Sequence, residues 1–592
     1  MQKKWILHSV SDKNKVDRLK ETLHIPDALA GILLRRGVKS YEEAQSFFKP
    51  VLEDIHDPYL MQDMEKSVYR IEKAIEDKEK ILVFGDYDVD GTTAVALVYS
   101  FLRDIVAEIA YYVPDRYEEG YGISMQSIEY AKENGFSLII ALDCGVNAHQ
   151  AIGQAVEYGI DVIVCDHHLP GKSLPKAYAV LDPKRKDCKY PYKELSGCGV
   201  GFKLVHAIAK HRKISFKKIG QYFDLVALSI ASDVVPLTGE NRVFAYFGLK
   251  LINIRPRRSI EALLAFSKIT RKTSPIQPSL NTIFARKVSL QDLVFYVGPR
   301  LNAAGRMTTG RSSVHLLISS EPDTIVELGE RVDKENTERR ELDAKITKEA
   351  SAMVLSMPDW QERKSIVVYD PSWSKGVIGI VASRLVEQFY KPSVVLTLNN
   401  NIITGSARSV KDFDIYIALS QCSGLLEHFG GHTFAAGLTI KQGNLSKFMT
   451  KFEQIVASTI PETATIPAIE IDEEIPLHVI NMNFLTVMNK FAPFGPENTV
   501  PLFMTRRVTA TNARIVGDNH LKLSLIQNNS RNRPIGAVGF GIGEHLKRIT
   551  QGESFHICYH IELNEWQGEN HLQLNIKDIK FSSDNADIII EN

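Results

Sequence analysis

The stretch ILVFGDYDVDGTTA (81–94) places three aspartates at alternate positions immediately before a glycine. An EF-hand calcium loop opens in this way, but it also requires a bidentate glutamate at its last position. Counting from Asp86, that position is Leu97, which cannot bind a cation. An EF-hand loop also follows a helix, whereas ILVF is a short apolar run of strand-forming residues. The pattern excludes a calcium sensor and leaves Asp86, Asp88 and Asp90 as candidate ligands of a catalytic metal.

Metal-ligand residue types also follow three other apolar runs, LIIAL, DVIVC and DLVALSIAS. The residues concerned are Asp143, then Asp166, His167 and His168, and then Asp233. We interpret each run as a strand of one parallel sheet, whose carboxyl ends meet at a single edge. An isolated aspartate after a strand is commonly a helix N-cap or a turn residue, and that alternative stays open for Asp143.

Four loops that bring carboxylates to one edge are hard to explain by capping, because the carboxylates repel one another unless cations hold them. Oxygen-rich ligands with one or two imidazoles suit Mn²⁺ or Mg²⁺ better than zinc or copper. Two such ions about 3.5–4 Å apart form the clamp that hydrolyses phosphoesters. The sequence therefore predicts a two-metal phosphoesterase site.

The elements that must position these residues alternate between strand-like and helix-like runs from residue 81 onward, which predicts a parallel α/β sheet covered by helices. A charge-rich helical stretch follows, with Glu and Lys four residues apart, as in helices that bridge domains. A second α/β region comes next. The C-terminal part has many short strands separated by Gly, Asn and Asp turns, which predicts a small β-barrel or sandwich.

Composition narrows the class of protein. The chain has 592 residues, no net charge and 44% hydrophobic residues, which is typical of a soluble multidomain protein. Any binding site for a polyanion must therefore be a local patch. Six cysteines without a C-x-x-C pair argue against a disulfide scaffold or a zinc site, and no apolar run approaches a membrane span. We expect a cytoplasmic protein.

Motifs along the chain resemble a known family. DYDVDG, DCG, DHH and SDVVP, in this order, resemble the DHH phosphoesterase superfamily. The downstream motifs GPRLNAAGR (298–306), WSKGVIGIVASR (373–384), GSARS (405–409), GGHTFAAG (430–437) and FAPFGPENTVPLF (491–503) look like those of the RecJ single-stranded-DNA exonucleases. One departure is the connection at 271–289, which is longer and more polar than we associate with this family.

The resemblance implies a domain order. It comprises an N-terminal helical segment (1–75), a DHH catalytic domain (76–312), a linking helix (313–358), a DHH-associated domain (359–462) and an OB-fold nucleic-acid-binding domain (463–582). It also implies two Mn²⁺ or Mg²⁺ ions and hydrolysis of single-stranded DNA from the 5′ end to 5′-mononucleotides, in DNA repair and recombination. A helicase and a single-stranded-DNA-binding protein are the implied partners. The 5′-to-3′ polarity depends on the resemblance alone.

Carried over residue by residue, the resemblance gives a set of ligands and catalytic groups. The implied metal ligands are Asp86, Asp88, Asp90, Asp143, His167 and Asp233. The implied catalytic residues are Asp88, Asp90, Asp143, His167, His168 and Asp233. Sequence alone does not decide whether Asp86, Asp166 and His168 bind metal directly or orient other ligands.

Arginine side chains and backbone N–H groups are suited to grip a 5′-phosphate. Candidate groups are Arg116, Arg300, Asn302, Ser406, Arg408, Gly431 and His432. Three alternatives stay open: a surface ion pair of Arg116 with Glu118 or Glu119, a helix cap by Asn302, and a tight turn at the Gly-Gly pair. In the β-rich region, Tyr559 and Trp566 are possible stacking platforms for bases.

Two rival functions remain. Another DHH phosphodiesterase would cleave short oligoribonucleotides or cyclic dinucleotides, but the C-terminal β-rich domain would be superfluous for so small a substrate. A catalytically inactive scaffold should have lost several of the acids, and here all of them are present.

Overall fold

The structure is a computed structural model that describes residues 3–9, 12–272, 282–399, 401–527, 534–566, 569–584 and 588–591. Residues 273–281 of the unusual connection at 271–289 therefore lie outside the described residues. The chain forms two compact units, one of residues 52–465 and the other of residues 1–51 with 466–592. No helix among the described residues is long and apolar enough to cross a membrane.

The N-terminal segment begins with a strand, although the sequence predicted helices there. Alternate residues of the strand are buried, which is the pattern of a strand with one covered face. Its elements are β1 (Lys4–His8), α1 (Lys13–Leu23), α2 (Asp27–Arg35) and α3 (Tyr41–Phe48).

The larger unit opens with the predicted parallel sheet, in strand order β3-β2-β4-β5-β6. Its strands and intervening helices are α4 (Met64–Glu76), β2 (Ile81–Gly85), α5 (Val89–Leu102), β3 (Ile109–Tyr112), α6 (Met125–Glu133), β4 (Leu138–Leu142), α7 (His149–Glu157), β5 (Asp161–Cys165) and β6 (Ala179–Leu181). Because successive side chains alternate between faces, Val83 and Ile140 enter one hydrophobic core while Leu82 and Ile139 enter another on the opposite face. This first α/β region confirms the predicted parallel α/β fold.

Helices continue this first α/β region. They are α8 (Gly197–His211), α9 (Phe216–Ile219), α10 (Phe223–Asp233), α11 (Gly239–Ile254), α12 (Arg258–Ala265), α13 (Leu290–Asp292), α14 (Gly298–Met307) and α15 (Arg311–Ile318). The prediction that Asp233 follows a strand is wrong, because the run before it is the buried helix α10. A helix that is apolar on all sides cannot be distinguished from a buried strand by periodicity.

A long helix, α16 (Pro322–Ser356), connects to the second α/β region. That region contains β7 (Ile366–Tyr369), α17 (Ile378–Phe389), β8 (Ser393–Asn399), β9 (Ile402–Arg408), α18 (Ile415–Ser420), β10 (His428–His432), β11 (Ala435–Ile440) and α19 (Leu445–Thr459). Its sheet has the order β10-β11-β9-β8-β7, with β7 and β8 parallel and the other pairs antiparallel.

The C-terminal part is rich in strands, as predicted. Its elements are β12 (Ala468–Ile471), β13 (Glu473–Glu474), α20 (Met482–Asn489), β14 (Phe503–Val516), β15 (His520–Gln527), β16 (Ile535–Gly539), α21 (Leu546–Thr550), β17 (Phe555–Trp566), β18 (Glu569–Phe581) and β19 (Ile588–Glu591). Strand β14 pairs with β15 and also with β17. Tyr559 is fully buried, with its hydroxyl 2.7 Å from that of Thr505, so it belongs to the core and is not a stacking platform. The side chain of Trp566 lies outside the described residues.

Candidate metal centre and anion pocket

Acidic residues meet at the carboxyl edge of the first sheet because three neighbouring strands deliver them there. Asp86 follows β2, Asp143 follows β4 and Asp166 follows β5. Asp88 is the N-cap of α5, with one carboxylate oxygen accepting a hydrogen bond from the backbone N–H of Gly91 at 3.0 Å. The predicted strand-end geometry therefore holds for these loops, while Asp233 arrives from the end of α10.

His167 lies at the centre of the cluster. Its Nε2 atom is 3.1 Å from Oδ1 of Asp143, 3.6 Å from Oδ2 of Asp233 and 3.7 Å from Oδ2 of Asp90. Potential ligand atoms of Asp90, His167 and Asp233 all lie within 4.8 Å of one another, and the same holds for Asp143, His167 and His168. The structure brings most of the predicted metal ligands together.

Asp90 is held rigidly by protein donors. The backbone N–H groups of Gly197 and Cys198, at the start of α8, donate to its two oxygens at 2.7 Å, and the hydroxyl of Ser229 donates at 2.7 Å. Oδ1 accepts two of these bonds, whereas Oδ2 accepts only one and retains a lone pair. Asp90 is thereby fixed in place without losing its capacity to bind a cation.

Asp166 and His168 form a supporting pair beside the cluster. Oδ1 of Asp166 lies 2.7 Å from Nδ1 of His168 and accepts from two backbone N–H groups, and Oδ2 accepts from the N–H of Val146 at 2.9 Å. Burial opposes ionisation, but the contact with His168 and these hydrogen bonds outweigh it and lower the pKa of Asp166 to about 2. Asp166 therefore orients His168, whose Nε2 lies 3.2 Å from the hydroxyl of Tyr121.

Several buried polar atoms of the cluster have no hydrogen-bond partner among the described residues. Oδ2 of Asp86, Oδ1 of Asp143 and both ring nitrogens of His167 form no hydrogen bond with any described residue. Buried polar atoms are normally paired, so each such orphan needs an explanation. Carboxylate oxygens and an imidazole nitrogen are ligands that suit Mn²⁺ and Mg²⁺, and the residues present fit such ions.

The electrostatics of the cluster agree with this interpretation. Burial, followed by the neighbouring carboxylates, raises the pKa of Asp86 and Asp143 well above the usual range and raises the pKa of Asp233 to about 8. Burial also lowers the pKa of His167, which favours the neutral imidazole that a metal requires. The protein alone thus disfavours the ionised carboxylates, and added cations would reverse that preference.

The GPRLNAAGR helix α14 supports the metal loop. The side-chain oxygen of Asn302 accepts a hydrogen bond from the backbone N–H of Val89 at 3.2 Å, and so caps α5 beside Asp88. Arg300 is buried, and its donors are taken by Asp333, Ser267 and the carbonyl of Tyr296. Arg300 is therefore held by hydrogen bonds within the protein, and we do not propose it as a substrate-binding residue.

A second cluster, of opposite charge, lies between the two α/β regions of the larger unit. Arg116 lies over the ring of Tyr87 at 5.0 Å, and Tyr87 separates Asp86 from Asp88 in sequence. Arg116 forms no ion pair with Glu118 or Glu119 among the described residues. The carboxylate of Glu119 instead accepts hydrogen bonds from Tyr112, Asp115 and Ser124.

Arg306 and Lys375 join this cluster, although the sequence did not single them out as ligand contacts. Burial, followed by the charges of Arg116, Arg339 and Arg408, lowers the pKa of Arg306 to about 10. Nη1 of Arg306 donates to the carbonyl of Gly376 at 3.1 Å, which joins the two α/β regions. Burial and Arg116 also lower the pKa of Lys375. Arg116, Arg306, Lys375 and Arg408, which we call the anion pocket together with Ser406, are neighbouring cations that form no salt bridge with an acid in the described part of the chain.

Ser406 and Arg408 lie on β9, opposite the start of α17. A Cβ atom at Gly379 would lie 2.9 Å from Nη2 of Arg408 and 3.3 Å from Oγ of Ser406. Glycine at this position therefore leaves the space that both side chains occupy. The first turn of α17 also points backbone N–H groups toward its N-terminal end, where anions are favoured.

The sheet face that carries Ser406 and Arg408 continues across β11 and β10 as a surface of mostly small residues, which we call the floor of the pocket. Ser406 pairs with Gly437, which pairs with Gly430, and Arg408 pairs with Ala435, which pairs with His432. Directly paired residues share a face, so His432 stands at the exposed edge of this floor. Gly431 has φ +149°, and a Cβ there would lie 2.3 Å from the carbonyl oxygen of Ala435. The backbone therefore requires glycine at position 431.

Family models and relatives agree with this architecture. The DHH family N-terminal domain matches residues 80–230, the DHHA1 domain matches 362–458 and the RecJ OB domain matches 471–578. The single-stranded-DNA-specific exonuclease RecJ of Bacillus subtilis is 36% identical over 575 residues, covering 96% of this chain and 70% of the relative. The enzyme of the same name from Escherichia coli is 30% identical over 588 residues, covering 94% and 97%.

Solved structures give the same picture. RecJ from Thermus thermophilus in complex with Mn²⁺ has a TM-score of 0.82 at 22% identity, covering 98% of this chain and 79% of that one, which establishes the common fold. An exonuclease RecJ bound to manganese has a TM-score of 0.57 at 27% identity, covering 68% of this chain and 96% of that one.

Proposed function

Because this chain belongs to the RecJ family of single-stranded-DNA-specific exonucleases, we propose that it hydrolyses single-stranded DNA from the 5′ end with two divalent cations, Mn²⁺ or Mg²⁺. The products would be 5′-mononucleotides, and the process served would be DNA repair and recombination. The observation that carries the proposal is the pair of adjoining clusters, one acidic with buried ligand atoms that lack hydrogen bonds and one cationic without salt bridges among the described residues.

The acidic cluster would hold the cations. We assign ligand roles to Asp86, Asp88, Asp90, Asp143, His167 and Asp233, supported by the orphaned buried atoms of Asp86, Asp143 and His167. When bound, two divalent cations supply Lewis-acid activation of water and neutralise charge on a phosphodiester.

The other residues around this cluster would position those ligands. Gly197, Cys198 and Ser229 fix Asp90, and Asp166 fixes His168, so the ligand atoms need little rearrangement on binding. The exposed Nε2 side of His168 can hold or donate a proton at a phosphate oxygen, because the contact with Asp166 raises its pKa to about 9 against the opposing effect of burial. No side-chain nucleophile is required.

The anion pocket would bind the 5′-phosphate. Arg116, Arg408 and Arg306 offer several N–H donors, and Ser406 adds a hydroxyl group that has no protein hydrogen bond among the described residues. A doubly charged phosphate relieves the mutual repulsion of these cations, as a multidentate arginine site does. His432 and Gly431 would contact the strand at the edge of the same floor.

The position of Arg116 supports removal of one nucleotide at a time. Its guanidinium lies over the ring of Tyr87 in the metal loop, so a terminal phosphate bound there would leave the next phosphodiester near the acidic cluster. The rival substrates, very short oligoribonucleotides or cyclic dinucleotides, would not use the OB domain matched at residues 471–578.

We also propose the domain division predicted from the sequence, with boundaries near residues 76, 313, 359 and 463. The family-model ranges support the second, fourth and fifth domains. The division between the compact units after Thr465 supports the boundary near residue 463, whereas their division after Val51 lies well before residue 76.

A helicase that supplies unpaired strands and a single-stranded-DNA-binding protein that covers them are the proposed partners, and the cytoplasm is the proposed location. We expect each partner to accelerate digestion of a long duplex with a 5′ end. The absence of acceleration by either one would remove it from the proposal.

The proposal is tested with a long single strand labelled at its 5′ end and incubated with Mn²⁺ or with EDTA. Wild-type protein should release mononucleotides only with the metal, and Asp143→Ala protein should release none. If long strands survive while dinucleotides are cleaved, the short-substrate rival is correct. If strands are bound but nothing is cleaved, the scaffold rival is correct.

A further inference from the structure

Val234, the residue after Asp233, has a backbone conformation that its side chain disfavours. Its φ is +59° and its ψ is 30°, in the left-handed region at the C-terminal end of α10. Glycine or asparagine normally occupies this position, because a Cβ with two branches crowds the backbone there. Valine at this position therefore costs the folded protein free energy.

The side chain does not recover that cost by packing. Val234 is 67% exposed, whereas Val235 beside it is buried. The turn itself is required, since Asp233 must reach His167 at 3.6 Å while the carbonyl of Pro236 accepts hydrogen bonds from Tyr192 and Asn241. The fold thus dictates a left-handed residue at 234 but does not explain why it is valine.

The place of Val234 suggests what the side chain contacts. Its Cα follows that of Asp233 by about 3.8 Å, and Asp233 is one of the proposed metal ligands. A phosphodiester held at those ligands would carry a sugar on each side, and Val234 presents an exposed aliphatic side chain one residue from a ligand. Leu169, which follows His168, is also exposed, by 64%. Exposed aliphatic side chains therefore follow metal-site residues on two separate loops.

We propose that the isopropyl group of Val234 contacts the deoxyribose of the nucleotide being released and so favours DNA over RNA at the cleaved position. This inference rests on the proposed exonuclease function. A 2′-hydroxyl placed against an aliphatic group loses a water partner without gaining a protein partner, which disfavours the ribonucleotide. Val234 is accordingly a specificity-determining residue, and the strain at its backbone is tolerated for that contact.

The test uses two 5′-phosphorylated single strands that differ only in their first nucleotide, which is a deoxyribonucleotide or a ribonucleotide. Single-turnover rates of the first cleavage are measured with Mn²⁺ for wild type, Val234→Asn and Val234→Gly. Val156→Asn is the matched control, because Val156 is 48% exposed on α7 and lies outside the site. Thermal unfolding and calorimetric Mn²⁺ titration accompany each variant.

We expect both Val234 variants to lower the ratio of deoxyribonucleotide to ribonucleotide cleavage by about tenfold, the usual effect of losing one small apolar contact. The control should keep the wild-type ratio. Unfolding temperature and Mn²⁺ affinity should not fall, because Asn and Gly accept the left-handed conformation. A merely structural role for Val234 would not change the sugar preference.

Other results would overturn the inference. An unchanged ratio in both variants would show that Val234 does not contact the sugar. Loss of several degrees of unfolding temperature in both variants would show that the side chain stabilises the fold instead. If the wild-type protein leaves both strands intact, the proposed exonuclease function is wrong. This result differs from an unchanged ratio, which would contradict only the role of Val234.

Discussion

The acidic cluster and the anion pocket are built in opposite ways. The acidic cluster gathers carboxylates at the ends of β2 and β4 and of helix α10, all within one α/β region. The anion pocket gathers cations from two α/β regions, with Arg306 hydrogen-bonded to Gly376 across the gap. One cluster carries an excess of carboxylates and the other an excess of cations, so each is complementary to a ligand that the other repels. A phosphorylated strand end with divalent cations satisfies both.

The two clusters should contribute different properties to the enzyme. The acidic cluster should control the chemical step and the binding of metal, while the anion pocket should control recognition of the strand end. Variants in one region should therefore leave the property of the other unchanged. The following predictions test that separation.

The largest effect is expected for Asp143→Asn. Replacing this buried carboxylate, a proposed metal ligand, should lower cleavage by about a thousandfold or more and abolish high-affinity Mn²⁺ binding. Binding of the strand should survive, because the anion pocket is intact. Calorimetry with Mn²⁺ and a fluorescence binding assay with labelled strand measure both, with exposed Asp77→Asn as the control. Loss of strand binding would show that the two regions are not separable.

Arg408→Met should produce the next largest effect, on strand-end recognition. We expect kcat/KM to fall about a hundredfold for a 5′-phosphorylated strand and only a few-fold for a 5′-hydroxyl strand. Mn²⁺ affinity should be unchanged. Arg363→Met, which removes a surface ion pair with Asp359, is the control. Equal losses on both strands would contradict a phosphate-binding role.

Asn302→Ala should affect the acidic cluster through its support. The variant leaves the N–H of Val89 without its side-chain acceptor and loosens the loop that carries Asp88 and Asp90. We expect a loss of activity of about tenfold or more, as for other residues that orient metal ligands. Asn302→Asp keeps the acceptor and should recover part of the activity. If Asn302→Ala instead changes only the preference for a 5′-phosphate, Asn302 belongs to the pocket.

Gly379→Ala should sharpen the boundary of the anion pocket. The added methyl group would meet Arg408 and Ser406, so the preference for a 5′-phosphate should fall by about tenfold while Mn²⁺ affinity stays constant. Gly424→Ala in the same α/β region is the matched control, since nothing lies within 4 Å of a Cβ there. If the variant keeps the wild-type preference for a 5′-phosphate, Ser406 and Arg408 do not belong to the phosphate-binding site.

The smallest effect concerns pH. The folded protein without metal holds Asp233 at a pKa of about 8 against an ordinary value of 3.8. A raised folded-state pKa gives stability that is present below pH 4 and lost as the pH rises through about 8. The unfolding temperature in EDTA should therefore fall from about pH 5.5 to about pH 8, and the stabilisation by Mn²⁺ should grow over that range. Equal stabilisation by Mn²⁺ at both pH values would contradict the ligand assignment.

The acidic cluster was largely predictable from the sequence, and the anion pocket was predictable only in part, since the motifs indicate Arg116, Ser406 and Arg408 but not Arg306 or Lys375. Asp86, Asp143 and Asp166 follow apolar strands, and parallel strands place their carboxyl ends at one edge. The run before Asp233 is apolar on all sides, which indicates a strand from sequence alone. The structure has the buried helix α10 there, and a fully buried helix has no apolar stripe that would distinguish it from a strand. Arg306 and Lys375 have no spacing signal, since only the approach of the two α/β regions brings them together. The sequence indicates Arg300 as a substrate contact, but its partner Asp333 lies on α16, remote in sequence.

The central claim is that a 5′-phosphate in the anion pocket sets the next phosphodiester at the acidic cluster. The most direct test is the length of the first product from a 5′-labelled, 5′-phosphorylated strand under single-turnover conditions with Mn²⁺. The account predicts that the first labelled product is a mononucleotide, and that Arg408→Met slows its appearance without changing its length. A first product of two or more nucleotides, or label that remains in the long strand while the 3′ end is shortened, would contradict the account.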